Sequence, residues 1–185
     1  GVCYLSGIGV ETDPVQAVAW LQRSAALEFP RGQSILGVCY DSGTGVEPDP
    51  ARAAELYRQA ADQCYPSAIS SLGLCYEIGS GVEQDPVRAV ELYRQAAEAG
   101  YVPAKCNLAV CCLNGIGMEA DPVQAVKLLE EAAGEGFARA LHILGRCCQD
   151  GSGRPTDLER AAELFRQSAE AEYPPAMCEL GLCLE

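Results

Sequence analysis

One pentapeptide returns along the chain at a constant interval. Leu36-Gly37-Val38-Cys39-Tyr40 reappears as Leu72-Gly73-Leu74-Cys75-Tyr76, then as Leu108-Ala109-Val110-Cys111-Cys112, Leu144-Gly145-Arg146-Cys147-Cys148 and Leu180-Gly181-Leu182-Cys183-Leu184, each 36 residues after the last. The chain opens on the tail of the same unit, Gly1-Val2-Cys3-Tyr4. A second marker keeps the same beat: Asp13-Pro14, Asp49-Pro50, Asp85-Pro86, Asp121-Pro122 and Asp157-Leu158. A strict period of this length without insertions marks a solenoid, in which each unit packs only on its neighbours.

Residues 66–101 show what one unit contains. Pro66 opens helix A, whose apolar positions are Ala68, Leu72, Leu74, Cys75 and Tyr76. Gly73 inside a helix costs about 1 kcal/mol against Ala, and its return at Gly37, Gly145 and Gly181 implies a close helix contact; Ala109 shows that a methyl still fits there. The pair Gly79 and Gly81 supplies a helix stop and turn. Helix B then starts with Asp85 as N-cap and Pro86 at the first helical position. Its stripe of Ala89, Leu92, Tyr93, Ala96 and Ala97 has the i, i+3, i+4, i+7, i+8 spacing of an amphipathic helix. The pattern predicts helix A over about 31–41, 67–77, 103–113, 139–149 and 175–184, with helix B after each Asp. The expected fold is all-α, about five 36-residue helix-turn-helix repeats in one array over 1–185, with phases beginning near 30, 66, 102, 138 and 174. Neither end carries a polar capping repeat, so the array is expected to be a segment of a longer chain.

This unit resembles the Sel1-like repeat, a relative of the tetratricopeptide repeat. The match rests on Ala68, Leu72, Gly73 and Tyr76 of helix A, on Gly79, Gly81 and Val82 of the turn, and on Asp85 through Ala97 of helix B. Departures are local: Cys112, Cys148 and Leu184 stand in place of the helix A tyrosine, and Leu158 in place of the helix B proline. The resemblance implies a right-handed α/α superhelix that binds partner proteins or peptides, often as an adaptor in signalling or host contact. The secreted cysteine-rich branch of the family joins cysteines eight positions apart. Here the partners of Cys106 and Cys178 under that rule are Glu98 and Glu170, so that disulfide scheme is absent.

Charge narrows the partners. A net charge of −13 argues against nucleic acid, which needs a basic stripe. No apolar run approaches the length of a membrane span. The paired glycines follow a helix rather than a strand, which is the wrong context for a dinucleotide site.

The 11 cysteines invite chemistry but are poorly placed for it. Six of them (Cys3, Cys39, Cys75, Cys111, Cys147 and Cys183) occupy one repeat position among core residues. Equivalent positions on stacked helices lie about 8–10 Å apart, beyond the roughly 7 Å limit between the Cα atoms of a disulfide. They are expected to be reduced and mostly buried thiols acting as small hydrophobes, which favours a reducing, cytoplasmic setting. Neither Cys111-Cys112 nor Cys147-Cys148 has zinc-ligand spacing. His142 and Cys147 lie on different faces of one helix, so they form no nucleophile–base pair. Glu55, Glu91 and Glu163 are expected to pair with Arg58, Arg94 and Arg166 on the outer side of helix B. The chain is thus expected to carry no catalytic residues, no metal and no cofactor.

The expected function is a non-enzymatic scaffold or adaptor that binds a protein or peptide on the concave helix A surface. A thiol-based redox or metal-responsive repeat protein is the alternative, and a hydrolase ranks below it. The partner should be read at helix A positions that vary between copies: Ser34, Val38, Asp41, Ser71, Leu74, Glu77, Asn107, Val110, Asn114, His142, Arg146 and Gln149. At the ends, an unpartnered helix A at 175–184 and loss of cover over Ala17, Trp20 and Leu21 predict end-to-end self-association.

Overall fold

The computed structural model describes residues 1–182, the last through its backbone only. Expectations involving the Leu182 side chain, Cys183 and Leu184 lie outside the described residues. Among those described there are 11 α-helices and no strand. The A helices are α1 (Val2–Ser6), α3 (Pro30–Ser42), α5 (Pro66–Ile78), α7 (Val102–Asn114), α9 (Ala138–Asp150) and α11 (Pro174–Leu182). The B helices are α2 (Pro14–Ala26), α4 (Pro50–Asp62), α6 (Pro86–Glu98), α8 (Pro122–Gly134) and α10 (Leu158–Glu170). From α3 to α9 each A helix runs one residue further at both ends than the spacing predicts.

Local chemistry accounts for these bounds. Asp13, Asp49, Asp85, Asp121 and Asp157 each accept a hydrogen bond from the backbone N–H three residues on, at 2.9–3.0 Å. Such a cap contributes about 1 kcal/mol. The same aspartates donate their own N–H to the carbonyl near the end of the preceding A helix, as Asp85 does to Tyr76 at 2.8 Å. Capping and hairpin closure therefore share one residue. Gly81 has φ +70, and a Cβ on it would stand 2.0 Å from the Pro50 carbonyl oxygen. The second glycine of the turn thus lets the backbone press against the start of the preceding B helix, besides supplying the turn.

The chain divides into two compact units, Gly1–Ala96 and the residues from Ala97 onward. In the first, α2 packs on α3, α3 on α4 and α4 on α5, around Val18, Leu21, Leu36, Cys39 and Leu56. In the second, α7 to α11 pack in the same succession. Burial falls on the expected stripes, with Tyr57, Tyr93 and Phe165 among the largest enclosed side chains. Fully burying such a side chain contributes about 1.5–3 kcal/mol.

Two expectations need correction. Ala17 and Leu21 do not lose cover: they are 0% and 4% exposed, because the short α1 lies over them, with the Gly1 Cβ position 2.7 Å from Leu21 Cγ. Trp20 alone of the three is open, at 48%, and the Arg23 guanidinium stacks on its ring at 4.8 Å. Glu91 pairs with Arg88 at 3.3 Å rather than with Arg94; Glu55–Arg58 and Glu163–Arg166 pair as expected. These are exposed pairs of small energetic value.

Candidate functional site

The variable positions of the A helices separate into three environments. The first is the packing between repeats. Ser34 is buried, its hydroxyl 3.4 Å from that of Ser67 on the next A helix. His142 is buried too, its ring tilted against Phe165 at 5.8 Å and Tyr173 at 5.4 Å. Asn107 accepts a hydrogen bond from Arg139 at 2.8 Å across two A helices. Ser71 is half-buried. Two adjacent early positions on helix A, that of Ser34 and His142 and that of Ser71 and Asn107, vary because each copy meets a different neighbour.

The second environment is internal to one hairpin. Tyr57 donates its hydroxyl to Asp41 at 2.7 Å, and Tyr93 donates to Glu77 at 2.6 Å. In the two following copies the ring is replaced by Leu129 and Phe165, which have no hydroxyl, and the carboxylate by Leu113 and Gln149. The acid therefore follows the phenol. Burial and the Asp41 carboxylate both push the Tyr57 hydroxyl far above its ordinary value.

The third environment is open. Val38 and Leu74 are 50% and 46% exposed on α3 and α5. In the second unit the equivalent positions, Val110 and Arg146, line a groove of about 390 Å³ between α7 and α9. Leu113 and Ile143 add apolar wall, while Asn114, Asp150 and Ser152 add polar groups. Asn114 donates its amide to the Val110 carbonyl at 3.0 Å, which leaves its own side-chain oxygen as an acceptor not used in that bond. Gln149 is exposed beside the groove. The spacing Ile143, Arg146, Asp150 is i, i+3, i+7, one stripe of a helix. Ile143 and Asp150 stand at the repeat positions of Asn107 and Asn114 and were detectable from that spacing, but they were not among the residues named from sequence.

The cysteines behave as core. Cys39, Cys75, Cys106, Cys111, Cys112, Cys147 and Cys148 are buried; Cys3, Cys64 and Cys178 are exposed; none of these ten is in a disulfide. Burial raises the thiols of Cys39, Cys106, Cys147 and Cys148, and that of Cys75 to about 11. A thiol held protonated is a poor nucleophile and a poor metal ligand. No group of three or more His, Cys, Asp or Glu among the described residues is arranged to hold a metal ion. No described helix is long and apolar enough to cross a membrane.

The Sel1 repeat profile matches residues 1–29, 30–63, 66–101, 102–137 and 138–173. The chain belongs to the Sel1 repeat family. Sel1 repeat proteins are generally non-catalytic protein-interaction scaffolds. No significant match is found among curated proteins. The crystal structure of a Sel1 repeat protein from Oxalobacter formigenes is similar at 31% identity with a TM-score of 0.88, covering 97% of this chain and 71% of that one. The structure of c5321, a protective antigen of uropathogenic Escherichia coli with the same repeat fold, is similar at 34% identity and a TM-score of 0.80. It is covered over 39% of its length, against 100% of this chain. A Sel1 repeat protein from Klebsiella pneumoniae shares the fold at 17% identity and a TM-score of 0.54. The five Sel1 repeats here thus place open apolar side chains such as Val38 and Leu74 on the A helices.

Proposed function

We propose that this Sel1 repeat chain is a non-enzymatic scaffold that binds an extended segment of a partner protein along its A helices. The groove between α7 and α9 carries the reading. Its apolar wall of Val110, Leu113 and Ile143 accepts one apolar side chain of the segment. Asn114 offers a carbonyl to a peptide N–H, and Arg146 offers a guanidinium to a carbonyl or carboxylate. In the first unit, Val38 and Leu74 offer further apolar contacts on equivalent positions. Asp41 and Glu77 support the hairpins rather than the partner, since Tyr57 and Tyr93 already hold them.

Peptides selected from a random display library against the chain test this. Val110→Asp and Arg146→Glu are expected to weaken the selected peptides by about tenfold or more, while Val123→Asp on the exposed start of α8 leaves them unchanged. Peptides that ignore both groove variants and respond to the α8 variant would show the reading to be wrong.

A further inference from the structure

We propose that a second groove, between α8 and α10, is a binding site for a carboxylate that carries a short apolar group. It lies within the second unit, its floor partly on α9, and shares no lining residue with the groove between α7 and α9. The cavity has a volume of about 390 Å³, within the roughly 300–1,000 Å³ range of small-ligand sites. Leu141, Leu144 and Leu164 give it an apolar floor, and Arg154, Arg160 and Gln167 give it hydrogen-bond donors.

Departures from the repeat create this groove. The position of Arg154 holds Val10, Val46, Val82 and Met118 in the other copies, and Val46 packs against the core of its unit. The position of Glu130 holds Arg58, Arg94 and Arg166 in three others. Gly134 stands where Asp62, Glu98 and Glu170 stand, and a Cβ built on it meets nothing within 4 Å. In this copy an apolar turn residue has become a cation, and an acidic side chain at the end of the B helix has been removed. Both changes favour an anion; Glu130, standing where three copies carry arginine, opposes it and is offset in part by its own contact with Arg154.

Arg154 is incompletely satisfied where it sits. Its Nη1 reaches Glu130 Oε1 at a long 3.3 Å, and that glutamate is 54% exposed. Its Nε is buried without a hydrogen-bond partner. Leaving such a donor unmatched at a position that takes valine elsewhere lowers stability. A local rule broken at a stability cost is what a binding site looks like. No ion pair holds Arg160 among the described residues, and its backbone N–H is taken by Asp157, the cap of α10. Arg154, Arg160, Glu130 and Asp157 all act on the buried Cys148 sulfur, so these charges share one neighbourhood. With Asp157 engaged by its helix and Glu130 by one edge of Arg154, the remaining guanidinium donors suit a planar carboxylate. The leucine floor requires that acid to carry a small apolar substituent. Two sources fit: a free short-chain acid, or the carboxyl end of a polypeptide whose last residue is apolar.

Nuclear magnetic resonance titration of the 185-residue chain with isovalerate, and with an acetylated tetrapeptide ending in leucine as acid or as amide, tests the site. The Arg154 and Arg160 Nε–H signals and the Gly134 amide are expected to shift saturably with at least one acid and not with the amide. A peptide acid binding about tenfold or more tighter than isovalerate identifies the chain end as the source; equal binding identifies the free acid. Arg154→Val and Gly134→Glu each install what other copies carry, so each should weaken binding by about tenfold or more with no fall in melting temperature. If Arg154→Val unfolds the chain, Gly134→Glu decides alone. The proposal is overturned if no acid gives a saturable shift in the groove, or if the folded variants titrate as the parent does.

Discussion

The ring of Tyr57 lies where a methyl group on Gly37 would stand: a Cβ there would meet Tyr57 Cε1 at 2.6 Å. Gly73 faces Tyr93 in the same way at 2.9 Å, and Gly145 faces Phe165 at 2.6 Å. The fourth copy carries Ala109 and Leu129 at the two positions, both fully buried. Glycine thus stands on helix A wherever helix B carries an aromatic, and alanine occurs only with leucine; Gly1 against Leu21, where a Cβ would meet Leu21 Cγ at 2.7 Å, shows that glycine also accepts leucine.

Gly73→Ala should therefore destabilise the chain by up to about 2 kcal/mol, as overpacking of about 1–3 kcal/mol is set against a helix-propensity gain of about 1 kcal/mol. In a double-mutant cycle, Tyr93→Leu should recover part of that loss, with a coupling above about 0.5 kcal/mol. Urea denaturation of the four proteins measures it, and strict additivity would refute the pairing.

Stability should fall as pH rises above about 8.5. The thiols of Cys39, Cys75, Cys106, Cys147 and Cys148 and the Tyr57 hydroxyl all sit above their ordinary values in the folded chain. The folded state keeps protons that the unfolded chain releases, so the contribution is complete below the unfolded values and lost above them. Cys75 acts from its ordinary range up to about 11, and Tyr57 joins above about 10. The urea midpoint at pH 7, 9 and 10 reads this. Cys75→Ala should flatten the decline between pH 9 and 10, whatever it does to stability at pH 7.

Acid should act through His142, whose burial lowers its proton affinity. The unfolded chain takes up that proton first, so stability is complete above about pH 6.5 and falls as pH drops through the folded value, by at most about 1.4 kcal/mol per pH unit. Glu179 opposes the shift and Arg146 assists it. His142→Cys, which copies Cys106 of the preceding repeat, should remove this part of the difference between pH 7.5 and 5.5. An unchanged difference would assign the acid sensitivity to other groups.

Cys64 offers a gain. With Glu28 and Glu172 it adopts a left-handed backbone, φ 57 to 59, at the turn where Gly100 and Gly136 serve the other copies. A side chain there costs about 1–2 kcal/mol, against about 0.4–1 kcal/mol of extra unfolded-state entropy for glycine. Cys64→Gly should therefore stabilise by about 0.5–1 kcal/mol, visible as a higher urea midpoint. It should also remove one of the three exposed described thiols in a native thiol titration.

The repeat, its phase, the bounds of α3 to α9 to within a residue and the burial of Cys39, Cys75, Cys111 and Cys147 were all legible in the amino-acid order, whereas Cys3 at the same repeat position is exposed. Each of these depends on contacts within one hairpin or on a pattern repeated in every copy. Asp85 followed by Pro86 starts a helix wherever the hairpin sits, and the Leu92, Tyr93, Ala96 spacing marks a buried face before its partner is known.

What tertiary structure alone decided was the use of the varying positions. Ser34, Val38 and Asp41 all change between copies, yet one packs against the next A helix, one stays open and one accepts a tyrosine hydroxyl. Variation records only that the neighbours differ, and whether a neighbour is solvent, another repeat or the partner helix depends on where that face points after stacking. Arg154 with a buried unpaired Nε follows from the same cause, since its ion-pair partner Glu130 belongs to the preceding hairpin. Such a contact joins residues far apart in the chain and leaves no mark in the sequence around either.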